Sequence, residues 1–169
     1  MHGLTEINAW AANTGARAHD TATLKKAFWF HDAVYGGSKD GLSNEEQSAR
    51  LWLACGLDGE AAAKDPAALI RATEHGPASA NPHRLQDAML GADLAILGQP
   101  ADVYDDYARS VRVEYGHVDE ASYRAGRGVI LAHFLANAEA GILYADDYFR
   151  DMYGATAREN LARELNMLK

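Results

Sequence analysis

Apolar residues recur at helical spacing along almost the whole chain. In "DTATLKKAFWFHDAVYGG", Leu24, Ala27, Phe28 and His31 fall at i, i+3, i+4 and i+7, which is one stripe of a helix. The segment opens on a cap-competent Asp20 or Thr21 and stops at Gly36-Gly37, so it predicts a helix with His31 facing inward near its C-terminal end. "SNEEQSARLWLACG" begins with Ser43 three residues ahead of Glu46, the spacing of a capping box, and "DPAALIRATEHGP" has Pro66 at a helix start. The segments "NPHRLQDAMLGADLAILGQP", "DVYDDYARSVRVEYG", "EASYRAGRGVILAHFLAN" and "TARENLARELNMLK" carry the same periodicity. No run alternates β-branched with polar residues, so the expected class is all-α, a bundle of about seven or eight helices. Gly36–Leu42 is the longest glycine-rich connection and the candidate for a mobile loop over a site.

Composition narrows the partners. A chain of 169 residues, 48% apolar and 24% charged, is expected to fold as a single domain, 1–169, with a real core. Its net charge of −8 argues against nucleic acid polymers and anionic membranes, which are held by neutralising phosphates with Lys and Arg. A phosphate-bearing ligand would have to be met locally, by a metal or a few Arg. The single cysteine, Cys55, makes no internal disulfide, no stretch approaches the ~18 apolar residues of a membrane span, and "MHGLTEINAW" lacks a basic-then-apolar leader. The expected location is cytoplasmic.

The polar residues inside the apolar stripes carry the candidate chemistry. Neighbouring helical residues point about 100° apart, so His31 and Asp32 can share one ligand only at a helix edge, in a cleft made by other helices. A divalent metal is such a ligand. Imidazole with carboxylate suits Mn, Fe, Co, Ni or Zn, whereas Mg favours oxygen alone. Asp93 interrupts the apolar run "MLGADLAILG", where a charge is costly unless paired or metal-bound, and His2 stands on what reads as the first helix. Two further donors would have to come from elsewhere in the chain, and these are the candidates.

A lone His, an adjacent His-Asp pair and a later Asp in an apolar helix, with "HGLTEI", "WFHDAVY", "NEEQSA", "GADLAILG", "RVEYGHV" and "ARENLAREL" around them, resemble the HD superfamily of metal-dependent phosphohydrolases. Within it, the chain is similar to a bacterial family described as predicted metal-dependent HD phosphohydrolases, over nearly its whole length. The resemblance implies an HD-like helical fold around one or two metals, with His2, His31, Asp32 and Asp93 as ligands. It implies hydrolysis of a small phosphoester by metal-activated water, with nucleotides the leading substrate class. Members of that family have a helix before the first motif, which this chain is expected to lack; an uncovered face there leaves a homodimer open. They also repeat a histidine where this chain has Glu6. Glu6 shares a helical face with His2 and could replace the donor or orient the imidazole.

Other residues are candidates for the same reaction. Asp32 and Glu45 are the candidate catalytic carboxylates, Glu45 as the base that orients water, although an acidic first turn is also what a helix dipole favours. Lys39, Arg109 and Arg112 are candidate phosphate contacts, the two Arg equally well placed to pair with Asp105, Asp106 or Glu114. His75 ends a helix and serves either the C-terminal dipole or a second metal or phosphate contact. Tyr104, Tyr107 and Tyr115 read as core. Two other functions stay open: a di-iron oxygenase of HD type, for which His75 and His83 lie between the His-Asp pair and Asp93, and a degenerate HD domain that only binds a nucleotide or a partner.

Overall fold

The computed structural model describes residues 2–36, 41–74 and 82–168, with His2 by its backbone alone. Among them all regular structure is helical, in the order α1 (His2–Thr14), α2 (Ala18–Phe30), α3 (Asn44–Cys55), α4 (Lys64–Ala72), α5 (Gln86–Leu94), a 3-10 turn (Ala95–Gly98), α6 (Ala101–Glu114), α7 (Glu120–Glu139) and α8 (Asp147–Met167). No described helix is long and apolar enough to cross a membrane. The chain divides into two compact units, Met1–Asp93 and Leu94–Lys169.

The first unit packs α1 on α2, α2 on α4 and α3, and α3 on α4. Its core is Ile7, Trp10, Leu24, Ala27, Trp52, Leu69, Ile70 and Met89, all buried. Each fully buried Leu or Ile contributes about 1.5–3 kcal/mol of transfer free energy. Trp52 also satisfies its indole N–H, donating to the Ala63 carbonyl at 2.9 Å. Gly3 is what lets α1 lie close on α2, because a methyl group there would overlap the Phe28 ring.

Helix boundaries follow local chemistry, with two corrections. Ser43 is the N-cap of α3, its hydroxyl accepting from the Glu46 N–H at 3.2 Å, and Gly56 closes the helix in the left-handed region at φ 60°. By contrast, α2 starts at Ala18, ahead of the expected Asp20 or Thr21 cap. Asp20 lies inside the first turn, where Arg84 grips it through both guanidinium nitrogens and Arg17 adds a second pair. These two cations, Arg84 first, hold its carboxyl far below the usual carboxylate range against the opposing effect of burial. The second correction concerns "NPHRLQDAMLGADLAILGQP": α5 begins only at Gln86 and tightens into a 3-10 turn after Leu94, so Asp93 is the penultimate residue of a helix rather than mid-helix.

The second unit packs α7 along α8 and sets the 3-10 turn against α8 and α6. Gly98 makes the closest approach, since a methyl there would meet the backbone of Tyr153. Asn160, buried in α8, donates to the carbonyls of Leu97 and Gln99 at 2.9 and 2.8 Å, and the Tyr144 hydroxyl donates to that of Leu94 at 2.9 Å. These side chains anchor both ends of the 3-10 turn. Glu164 takes a bidentate pair from Arg127 at 2.8 and 3.0 Å and a hydrogen bond from the buried Tyr104 hydroxyl. Tyr104 is core as expected, but Tyr115 is exposed, because it falls just past the end of α6.

Candidate functional site

His31 is the first residue after α2, still in helical conformation, and its ring is buried. Its Nδ1 lies 2.7 Å from the Phe28 carbonyl oxygen. A carbonyl only accepts, so Nδ1 carries the proton and donates, which leaves Nε2 to face the site. The Phe28 ring packs on the imidazole with centroids 4.6 Å apart. The residue three positions back on α2 therefore sets both the tautomer and the tilt of His31.

Around Nε2 stand two carboxylates. Asp32 Oδ2 and Asp93 Oδ1 each lie 3.1 Å from it. Burial alone pushes the imidazole down; the hydrogen bonds and charges of Asp32 and Asp93 outweigh it and push the group up to about 10. The site is open on one side, since the Asp32 side chain is 69% exposed while that of Asp93 is 20% exposed. A cavity of about 300 Å³ reaches His31 and Asp32, lined otherwise by Leu4, Phe28, Trp29 and Ala33.

The turn that carries this pair is pinned from α3. The Val34 N–H donates to the hydroxyl of the fully buried Ser48 at 3.0 Å. Ser48 belongs to "NEEQSA", the segment singled out for its acidic residues. Of those, Glu46 is tied to Arg50 and Arg71 at 2.8 and 2.5 Å, which bridges α3 to α4. Glu45 sits beside it in the first turn of α3 and is not among the residues lining the His31 cavity.

The remaining candidates fall in three groups. Glu6 is buried on α1, one turn after His2. Arg109 and Arg112 belong to α6 in the second unit, where Arg109 pairs with Asp106 and Arg112 holds Glu120 at 3.2 Å and the carbonyl of Tyr115 at 2.8 Å. Lys39, His75 and the side chain of His2 lie outside the described residues.

Among the described residues no group of three or more His, Cys, Asp or Glu side chains is placed so that it could hold a metal ion. His31, Asp32 and Asp93 nevertheless bring together the donor types of a divalent-ion site. An ion about 2.0–2.2 Å from each donor puts neighbouring donors about 3 Å apart, and both carboxylate oxygens keep 3.1 Å from Nε2. One imidazole with two carboxylates suits the Mn, Fe, Co, Ni and Zn group.

Sequence reasoning missed Gly3, Trp29, Ser48 and Arg84. Only Ser48 left a signal, a hydroxyl on the otherwise apolar inner face of a helix. No protein-family model, no curated protein and no solved structure matches this chain.

Proposed function

We propose that the chain is a metal-dependent phosphohydrolase of HD type that acts on a small phosphoester. The observation that carries this reading is the meeting of His31, Asp32 and Asp93, residues from the end of α2 and the end of α5, around one imidazole nitrogen at the mouth of a cavity. His31, Asp32 and Asp93 would hold the ion, with His2 as a fourth donor and Glu6 positioning it. When bound, the ion supplies Lewis acidity at a phosphoryl oxygen and an activated water.

The chain's own residues argue for a cation at this place. Two carboxylates about one imidazole make a mouth that repels an anionic ester, and an added divalent charge reverses that sign. The Phe28 carbonyl keeps the His31 Nε2 lone pair available when the imidazole is neutral. Asp32, the exposed member, is the carboxylate that meets solvent and substrate, whereas Glu45, outside the lining of this cavity, is given no part in the step. The one cysteine, Cys55, is exposed at the end of α3 and outside the cavity, so no covalent intermediate is invoked.

The test is a screen of nucleoside mono-, di- and triphosphates and simple phosphoesters with Mn, Co, Ni, Fe and Mg, run beside Asp32→Ala. Because Asp32 is exposed, the variant should fold, as circular dichroism would verify. The expected result is metal-dependent release of phosphate or pyrophosphate carrying oxygen-18 from labelled water, reduced at least about 100-fold in Asp32→Ala. Release that persists in Asp32→Ala, or none with any metal, would overturn the proposal.

A further inference from the structure

A second, larger cavity of about 550 Å³ adjoins the first and shares two of its walls, Leu4 and Trp29. Its other walls are Asn8 of α1, Lys25, Lys26 and Phe30 of α2, Trp52 of α3, and Leu57 and Asp58 just beyond it. The volume falls in the roughly 300–1,000 Å³ range of small-molecule sites. Helix α2 therefore runs past both cavities, with His31 and Asp32 at the first and Lys25 at the second.

Trp29 is 61% exposed, while Trp10 and Trp52 are buried. Its indole has no ring partner among the described residues, so a large flat π face stands in water at the junction of the two cavities. What sets Trp29 apart from other exposed apolar side chains is its place at the wall of a cavity, where an indole offers a flat stacking face. Lys25 lies one turn before Trp29 on the same face of α2. Its neighbour Lys26 is neutralised by Asp58 at 2.6 Å, whereas Lys25 has no ion-pair partner among the described residues. The cavity thus offers a stacking surface, one uncompensated cation in a chain of net charge −8, and the Asn8 amide.

A partner helix would need a long apolar groove, and this wall is short and mixed in polarity, with Trp29 as its one exposed indole. A planar heterocycle with hydrogen-bond acceptors on its edge matches it. We infer that this cavity binds a nucleobase, its ring stacked on Trp29 and a ring carbonyl or ring nitrogen accepting from the Lys25 ammonium. The phosphoester met at His31, Asp32 and Asp93 is then a nucleotide, its phosphate in the first cavity and its base in the second. This naming of the substrate class rests on the phosphohydrolase reading, whereas base binding does not.

Guanosine, adenosine, cytidine and uridine, titrated without metal, test the pocket alone, since they carry no phosphate. The readouts are tryptophan fluorescence, to which the exposed Trp29 responds, and chemical shifts of Trp29 and Lys25. At least one nucleoside should bind saturably, about tenfold more weakly to Trp29→Ala, with Trp29→Phe in between because it keeps a stacking ring. Lys25→Ala should weaken binding too, most for the bases with carbonyl acceptors. Saturable binding of none of the four would overturn the inference, as would affinity unchanged in Trp29→Ala. So would a wild-type dimer that Trp29→Ala dissociates, since a second copy would then be what covers the indole. Nucleoside binding without nucleotide hydrolysis would support the pocket and remove the hydrolase reading. Hydrolysis of simple phosphoesters without nucleoside binding would do the reverse.

Discussion

Ser48 shows how much a single hydroxyl can decide about a site it never touches. It accepts the Val34 N–H and so fixes the turn on which His31 and Asp32 are presented. Replacing it by alanine leaves that N–H without its partner while changing almost no volume, so Ser48→Ala is expected to cost about 1–2 kcal/mol. Chemical denaturation would measure this, and an unchanged midpoint would show that water replaces the hydroxyl. The predicted damage is also local: in amide spectra the shifts should concentrate on residues 31–36. Phe28 and Gly3 act at the same scale. One supplies the carbonyl and ring that orient His31, and the other leaves the space in which that ring lies. The His31, Asp32 and Asp93 set was legible in the sequence because charge inside an apolar stripe is conspicuous. Its supports were not, since a serine, a glycine or a phenylalanine in a helix looks ordinary until its neighbour across the fold is known.

Between elements, the tie from α3 to α4 runs through Glu46, whose two oxygens take Arg50 and Arg71. The Arg71 hydrogen bond, then that of Arg50, lowers this carboxyl to about 2 from 4.5. A carboxylate depressed on folding contributes stability above its unfolded value and loses it as the pH falls through its folded value. The expected outcome is therefore a gap in melting temperature between wild type and Glu46→Gln that is full above about pH 5 and closes as the pH approaches about 2. Thermal melts followed by circular dichroism would check it, and a gap independent of pH would show that Glu46 acts through shape rather than charge. Element order and most boundaries were readable from periodicity and caps, as at Ser43 and Gly56. The start of α2 departs from the cap the sequence offers because Asp20, which has the chemistry of a cap, is instead held by Arg84, 64 residues away. Likewise α8 begins at Asp147, well before the periodic segment that announced it, because Asp146 caps it by accepting from the Phe149 N–H.

For the whole molecule the governing quantity is charge. With 24 Asp and Glu against 16 Lys and Arg, and with Arg17, Arg84, Arg71, Arg127 and Arg163 paired to carboxylates, few cations are free to neutralise a polyanion. No saturable binding to duplex DNA or single-stranded RNA is expected in fluorescence anisotropy at about 50 mM salt, where phosphate contacts are strongest. Binding there would mean that local patches outweigh the net sign. Composition determined that expectation, and hydrophobic periodicity determined that the chain is helical, because both depend on residues counted singly or compared with neighbours three and four positions away. Which residues meet across 60 positions is another matter. The closure of His31 and Asp32 on Asp93, the grip of Arg84 on Asp20, the hold of Asn160 on the end of the 3-10 turn and the junction of two cavities at Trp29 all follow from how helices pack. Packing is decided by side-chain shapes and buried polar partners acting together, so only the tertiary structure could name those pairs.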